Sequence, residues 1–326
     1  MAQLEERHVR GWDVLRLSTD ALSADIIPAL GGTITSLTRR VDGAALLWST
    51  PWGVRPRGAS SLPGTSRTQM IDSLAGGWQT LFPNGGESAF IHGVDWGDDG
   101  EARVTWLDWE FTGSSLQMSG RLIRSPFEIT KIVSMRDHEV TVGETVRNVG
   151  RERIETMWGS QLMLGGELVG PETIVDAAAA VVRPDPHIST AASYDDLMPW
   201  PRSHGADSMI NLRLLPGPDS GETRLAYLSD FSQPLIRVGR PSRRLGVELE
   251  WDADVFPYVW YSMEAGGSTD FPWYRTGYFL SLTPCTSWPA HGVHDARRVS
   301  DSTVLIDPRE VLTSYVTLRV EPLINP

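Results

Sequence analysis

One cysteine, Cys285, stands among the 326 residues. That excludes an internal disulfide, and a lone thiol among apolar neighbours reads as a small buried hydrophobe rather than a nucleophile. No segment reaches the ~18 uninterrupted apolar residues that a membrane-spanning helix needs. The opening MAQLEERHVRGWDVL carries no apolar run of the signal-peptide kind. Positive charge is scarce: 29 Lys and Arg against 41 Asp and Glu leave a net charge of −12 and a pI near 5.0. Nucleic acid and anionic membrane both call for a basic face, so neither is an expected partner. No fixed-period repeat appears, which argues against a propeller, and no convincing amphipathic helix is visible. These absences leave a soluble, cytoplasmic protein that handles a neutral or weakly polar small molecule.

What the chain does have is alternation. Val14 to Leu17, Leu22 to Ile27, Ile34 to Arg40 and Ala45 to Trp48 read as an N-terminal meander, with Asp42-Gly43 as a hairpin turn. Leu116, Met118 and Leu122 share one parity, as do Phe127, Ile129, Val133 and Met135, and again Val140, Val142 and Val146. Three antiparallel strands with one wet face follow from this. Further strands are expected at Glu152–Leu164, Thr173–Arg183, Leu212–Leu215, Arg224–Leu228, Leu245–Trp251, Tyr258–Met263, Gly277–Leu282 and Tyr315–Val320. Residues 50–73 and 184–207 read as irregular connections. Some fifteen short strands without helices predict an all-β sandwich, and length does not force a split, since such folds run past 200 residues as one unit.

The unusual residues gather in LAGGWQTLFPNGGESAFIHGVDWGDDGEARVTWLDWEF, residues 74–111. Gly-Gly pairs, a Phe-Pro-Asn turn and the acidic knot of Asp98, Asp99 and Glu101 predict a long ordered loop up to about Arg103. Tryptophan beside carboxylates is how proteins hold sugars, with the ring face on indole and the hydroxyls on acids. A Trp-rich core hairpin with a solvated acidic tip explains the composition as well. If the local chain is extended, Asp99 and Glu101 face one side, and their repulsion would raise one pKa and make an acid/base couple. His92 on the same loop would donate to a sugar hydroxyl, or be merely exposed. His291 and His294, three apart with Asp295 adjacent, have the spacing of a metal site or acid/base pair, a pattern that loops also produce by chance.

Six segments, IIPALGGTITSL, DGAALLW, GGWQTLFPNGG, TVRNVGRERIETMWGSQ, WDADVFPYVWY and PWYRTGYFLSLTPCTSWP, resemble in that order the aldose 1-epimerase (galactose mutarotase-like) family across nearly the whole chain. The resemblance implies a single domain over residues 1–326, a large antiparallel β-supersandwich with the sugar in an open cleft on one sheet. It also implies mutarotation chemistry, in which a base takes the anomeric proton and an acid protonates the ring oxygen. The family does this with two histidines and a glutamate, and here the sequence departs. Thr283 stands where the glutamate precedes Pro. Ser160 and Gln161 stand where a histidine follows Trp-Gly. A His-Gly-Glu segment aligns with Asp99-Gly100-Glu101, with His92-Gly93 as an alternative register. A threonine hydroxyl is no base near neutral pH, and a glutamine amide neither gives up nor takes a proton.

The expectation is therefore a carbohydrate-active enzyme of aldose 1-epimerase-like type, performing epimerisation, mutarotation or a related elimination; a non-catalytic carbohydrate-binding protein is the alternative. Asp99, Glu101 and His92 are the expected acid/base residues. Trp78, Asn84, Trp158, Gln161, Trp273, Arg275 and Thr283 are the expected sugar contacts, and all of these but Trp273 are expected to line one concave surface together with Asp99 and Glu101. Trp260, Tyr274 and Glu264 are further residues of that cleft or its frame. Neither a cofactor nor a metal is expected, and the partner is a small sugar or sugar derivative, with a homodimer left open.

Overall fold

The computed structural model describes residues 2–59 and 63–321. Half of the chain is strand and 8% helix, as the alternation predicts. The main sheet begins with the meander Gln3–Val9, Trp12–Ser18, Leu22–Ile27 and Thr33–Arg39. It continues through Trp78–Leu81, Gly159–Leu164, Tyr278–Cys285 and Tyr258–Ala265, each antiparallel to the next. The strand Glu222–Arg240 then turns the sheet back on itself. Residues 222–228 pair with Tyr258–Ala265, and residues 235–240 pair with Leu245–Trp251. Val311–Glu321, Glu139–Asn148, Phe127–Arg136, Ser115–Arg121 and Asp108–Phe111 complete the second layer. Ile174–Pro184 runs beside both halves of the long strand, with a bulge between Ala177 and Ala179. The fold is all-β, an antiparallel supersandwich.

The two layers enclose one large core, whose buried rings include Trp78, Trp96, Trp158, Trp251, Tyr261, Phe82 and Phe127. Period-2 patterning puts Phe127, Ile129, Val133 and Met135 into it, and from the partner strand Val140, Val142 and Val146. Three inward positions, Lys131, Glu144 and Asn148, break the apolar rule. Lys131, the chain's sole lysine, faces Glu144 across the register, with Nζ 3.1 Å from Oε1 and both side chains almost wholly buried. Glu144 also accepts hydrogen bonds from the Thr80 hydroxyl and from Trp158 Nε1, while Lys131 donates to Gly31 O. A buried charge is tolerated only when paired and hydrogen-bonded. This network ties the second layer to the two strands that carry Gln79 and Gln161.

Three expectations about elements need correction. Residues 50–73 contain the helix Ser66–Ser73, N-capped by Thr65, whose hydroxyl accepts Thr68 N–H. It buries only Ile71 among its eight residues, so no apolar stripe announced it. A second helix, Val293–Ser300, buries only Val293 and Ala296. The long loop expected from Leu74 is interrupted by the central strand Trp78–Leu81 and, further on, by the small hairpin of Phe90–Ile91 and Val94–Asp95.

Candidate functional site

Strand register builds the site. Gln161 pairs with Gln79, and the pairs Gly159–Cys285 and Leu162–Leu282 place it opposite Thr283. Thr283 pairs with Trp260, and Trp260 with Tyr227. Directly opposed residues of antiparallel strands share a face, so Gln79, Gln161, Thr283, Trp260 and Tyr227 form one row across five strands. Their neighbours Trp78, Leu162, Leu282, Val259 and Tyr261 point into the core, so the row lies on the face of the first layer turned away from it, where Gln79, Thr283, Trp260 and Tyr227 are buried by covering segments and Gln161 is partly exposed. The next row holds Met163, Ser281 and Ser262. Gln79 Nε2 donates to Gln161 Oε1 at 2.6 Å, and among the described residues the Gln161 amide nitrogen has no hydrogen-bond acceptor; the side chain is half-buried. Ser281 Oγ is buried without a hydrogen-bond partner among the described residues. An aromatic group of Trp48, Trp52, Trp273 and Phe279 closes one side: Trp52 stacks on Trp273 at 6.0 Å, and Trp48 meets Trp273 edge-on at 5.2 Å.

Asp99 is linked to the row through Arg103, whose charge acts on Asp99 and whose guanidinium reaches Gln79. Asp99 has a positive φ of 59°, is nearly buried, and its Oδ1 accepts Gly86 N–H at 2.9 Å. Burial pushes its carboxyl above the usual Asp range, against the opposing pull of the Arg103 guanidinium. Arg103 is itself buried and reaches the row, its Nε 3.3 Å from Gln79 Oε1, while its outer nitrogens contact Met70 O on the helix Ser66–Ser73. On the row's own face, two positions beyond Thr283, the Cys285 thiol is pushed up to about 12, chiefly by burial and in small part by the charge of Asp99.

Other expected site residues go elsewhere. Trp78 and Trp158 point into the core, where their indole N–H groups donate to Ser160 Oγ and Glu144 Oε2; one residue from Gln79 and three from Gln161, strand parity turns them to the opposite face. Glu101 does not couple to Asp99. Its carboxylate accepts the N–H groups of Ile123 and Arg124 and the Ser125 hydroxyl, clamping the turn before Phe127. His92 is exposed at the tip of the small hairpin, with φ 47°. Asn84, wholly buried, spends its amide on Glu87 O, Gly97 O and Val293 N–H. Arg275 is exposed, with φ 64°, and donates to Gly266 O. Glu264 is buried among Thr223 and Ser268. His291 and His294 do not converge, because His294 contacts Phe90 O and Arg297 instead.

Two features were not foreseen. A cavity of 620 Å³ lies between the helix Ser66–Ser73 and residues 96–106, lined by Asp98, Glu101, Arg103, Trp106, Arg121 and Arg124 among others. Beyond the Tyr227 end of the row, Asp185 sits between two histidines. His291 Nε2 is 2.8 Å from Asp185 Oδ2, and His187 Nδ1 is 3.1 Å from Oδ1. Asp185 and His187 lie in the stretch read as irregular loop, 106 and 104 residues before His291, and periodicity carries no signal of such a meeting.

No protein-family model and no curated protein sequence matches the chain. Solved structures do. The chain is similar to the Slr1438 protein from Synechocystis sp. PCC 6803, with 17% identity, coverage of 97% of this chain and 96% of that one, and a TM-score of 0.67. A galactose mutarotase-like protein from Lactobacillus casei matches at 15% identity, 94% and 100% coverage and TM-score 0.64. One from Clostridium acetobutylicum matches at 11% identity, 98% and 99% coverage and TM-score 0.66. At such identities the likeness speaks for the backbone alone. The chain has the galactose mutarotase-like fold.

Proposed function

We propose that this chain binds a sugar or sugar derivative against the Gln161–Thr283 row and acts on it by proton transfer through Asp99. The observation that carries the reading is the row itself. Amide and hydroxyl groups stand together on one sheet face, flanked by indoles, and Arg103 links that face to a buried carboxyl whose pKa is raised. Perturbed carboxyls beside a polar, aromatic-edged surface are the usual mark of a reactive site. The N–H groups of the partly exposed Gln161 suit sugar hydroxyls, with the buried hydroxyls of Ser281 and Thr283 beside it, and the aromatic side suits the ring's apolar face. Asp99, held near its proton by burial, supplies the acid or base. With Thr283 in place of a carboxylate, simple glucose or galactose mutarotation is expected to be slow, since general acid–base catalysis typically supplies about 10²- to 10⁴-fold. A substrate needing a single proton relay, as in epimerisation or elimination beside a carbonyl, fits this equipment better.

The test is proton NMR of a panel of aldoses, ketoses and sugar acids with wild type, Asp99→Asn and Gln161→Leu. The expected result is binding by wild type, weakened by Gln161→Leu, and conversion of one substrate abolished by Asp99→Asn. Conversion unaffected by Asp99→Asn would place the chemistry elsewhere. Binding with no conversion would favour the non-catalytic carbohydrate-binding protein, which the Thr283 hydroxyl and the Gln79 and Gln161 amides fit.

A further inference from the structure

We propose that Asp185, His187 and His291 form a site for a divalent transition-metal ion of the zinc class. Their ligand atoms all lie within 4.8 Å of one another. Metal–ligand bonds of about 2.0–2.2 Å put adjacent donors roughly 3–3.5 Å apart. The carboxylate–imidazole separations of 2.8 and 3.1 Å are close to that spacing before any adjustment. One carboxylate and two imidazoles make a mixed nitrogen and oxygen donor set, which suits zinc, iron, cobalt or nickel rather than magnesium or calcium.

A plain ion pair does not account for the arrangement. Asp185 and His291 alone would satisfy each other, yet a second imidazole meets the other carboxylate oxygen, and the two rings lie 4.1 Å apart between centroids. Two imidazolium ions at that distance would repel; two neutral imidazoles directed at one cation do not.

The surroundings are those of an oriented ligand set. Asp185 is held by the Tyr227 hydroxyl on Oδ2 and by His187 N–H on Oδ1 at 2.8 Å. Tyr227 is fixed in turn by Ala290 N–H at 3.0 Å. Behind His291, Glu87 Oε1 lies 3.6 Å from Nδ1, the ring nitrogen facing away from Asp185. A carboxylate behind a ligating imidazole is the common outer partner at zinc. The Asp185 side chain is 0% exposed while that of His187 is 59% exposed, so the site opens to solvent on the His187 side. Three protein ligands with an open side leave a coordination position for water or a ligand oxygen. This site stands independently of the sugar reading.

The experiment titrates Co²⁺ into tag-free, chelator-treated full-length protein, followed by visible absorbance, with Zn²⁺ as competitor and equilibrium dialysis for stoichiometry. One equivalent per chain with a low-symmetry Co²⁺ spectrum is expected. His187→Ala, which alters an exposed side chain, should lose this binding while keeping the metal-free melting temperature, and the near-isosteric Asp185→Asn should lose it as well. Tyr227→Phe should weaken binding by about 10- to 100-fold, the usual cost of removing an outer partner. Substoichiometric binding by wild type, or binding equal in wild type and His187→Ala, would overturn the proposal.

Discussion

Replacing Lys131 with methionine keeps most of the side-chain volume and removes the charge that faces Glu144. At 3.1 Å the pair's gross attraction is about 5 kcal/mol with an effective dielectric of about 20. Much of that offsets the desolvation of two ions, so the cost is better judged from what remains after the substitution. Glu144 keeps its hydrogen bonds from Thr80 and Trp158 but stays buried without a cation, and Gly31 O loses a donor. Breaking a buried pair from one side typically costs about 3–5 kcal/mol, and the surviving bonds place this case toward the lower end. Against a total stability of about 5–15 kcal/mol, that is a large share. Urea unfolding followed by tryptophan fluorescence should show a lower midpoint with an unchanged slope. Adding Glu144→Gln keeps a carbonyl acceptor for the Trp158 N–H and sets the amide NH2 against the Thr80 hydroxyl, which then accepts, while deleting the stranded charge, so the double variant should be more stable than Lys131→Met alone. A single-variant loss below about 1 kcal/mol, the scale of an ordinary hydrogen bond, or a double variant less stable than the single, would refute the argument that charge pairing holds the layers here.

Cys285, with its thiol pushed up to about 12, should have roughly one thiolate in 10⁴ at pH 8 and stay inert to an aromatic disulfide reagent until urea unfolds the chain; rapid native labelling would contradict its burial. Glu101→Gln should cost about 1–3 kcal/mol by disrupting the turn at residues 123–125 while leaving turnover of any substrate intact; lost turnover at unchanged stability would return Glu101 to the chemistry. At Gly86 the φ is +77° and an added Cβ would lie 2.0 Å from Ala290 O, so Gly86→Ala must shift backbone beside Asp99; both melting temperature and any Asp99-dependent turnover should fall, and an unchanged melting temperature would count against the packing described.

The strands were legible because period 2 is a strong signal when one face is apolar, as in Phe127–Arg136 and Glu139–Asn148. Lys131 and Glu144 occupy inward positions of that same pattern, but the alternation was carried by the apolar residues around them, and only the register of the two strands brings the pair together. The row was legible only through the family resemblance, which singled out Gln161 and Thr283 for what they replace. Trp78 and Trp158 were misplaced because an indole suits core and sugar alike; only the register, in which one residue changes the face, decides between them. Asn84 and Glu101 sit in the glycine-rich segment yet spend their polar atoms on backbone, a use that residue type does not reveal. The helix Ser66–Ser73 lacked a stripe. Asp185 and His187 lay in a loop with no period, and their partner is more than a hundred residues away.

A crystal structure of the chain with the best-binding sugar of the NMR panel tests the central claim most directly. The account predicts a ring against the face of the first layer turned away from the core, with Gln161 Nε2 and the Asp99 carboxyl within about 2.6–3.2 Å of sugar oxygens, directly or through one water. A sugar held in the 620 Å³ cavity between the helix Ser66–Ser73 and residues 96–106, out of reach of Gln161 and Asp99, would contradict it.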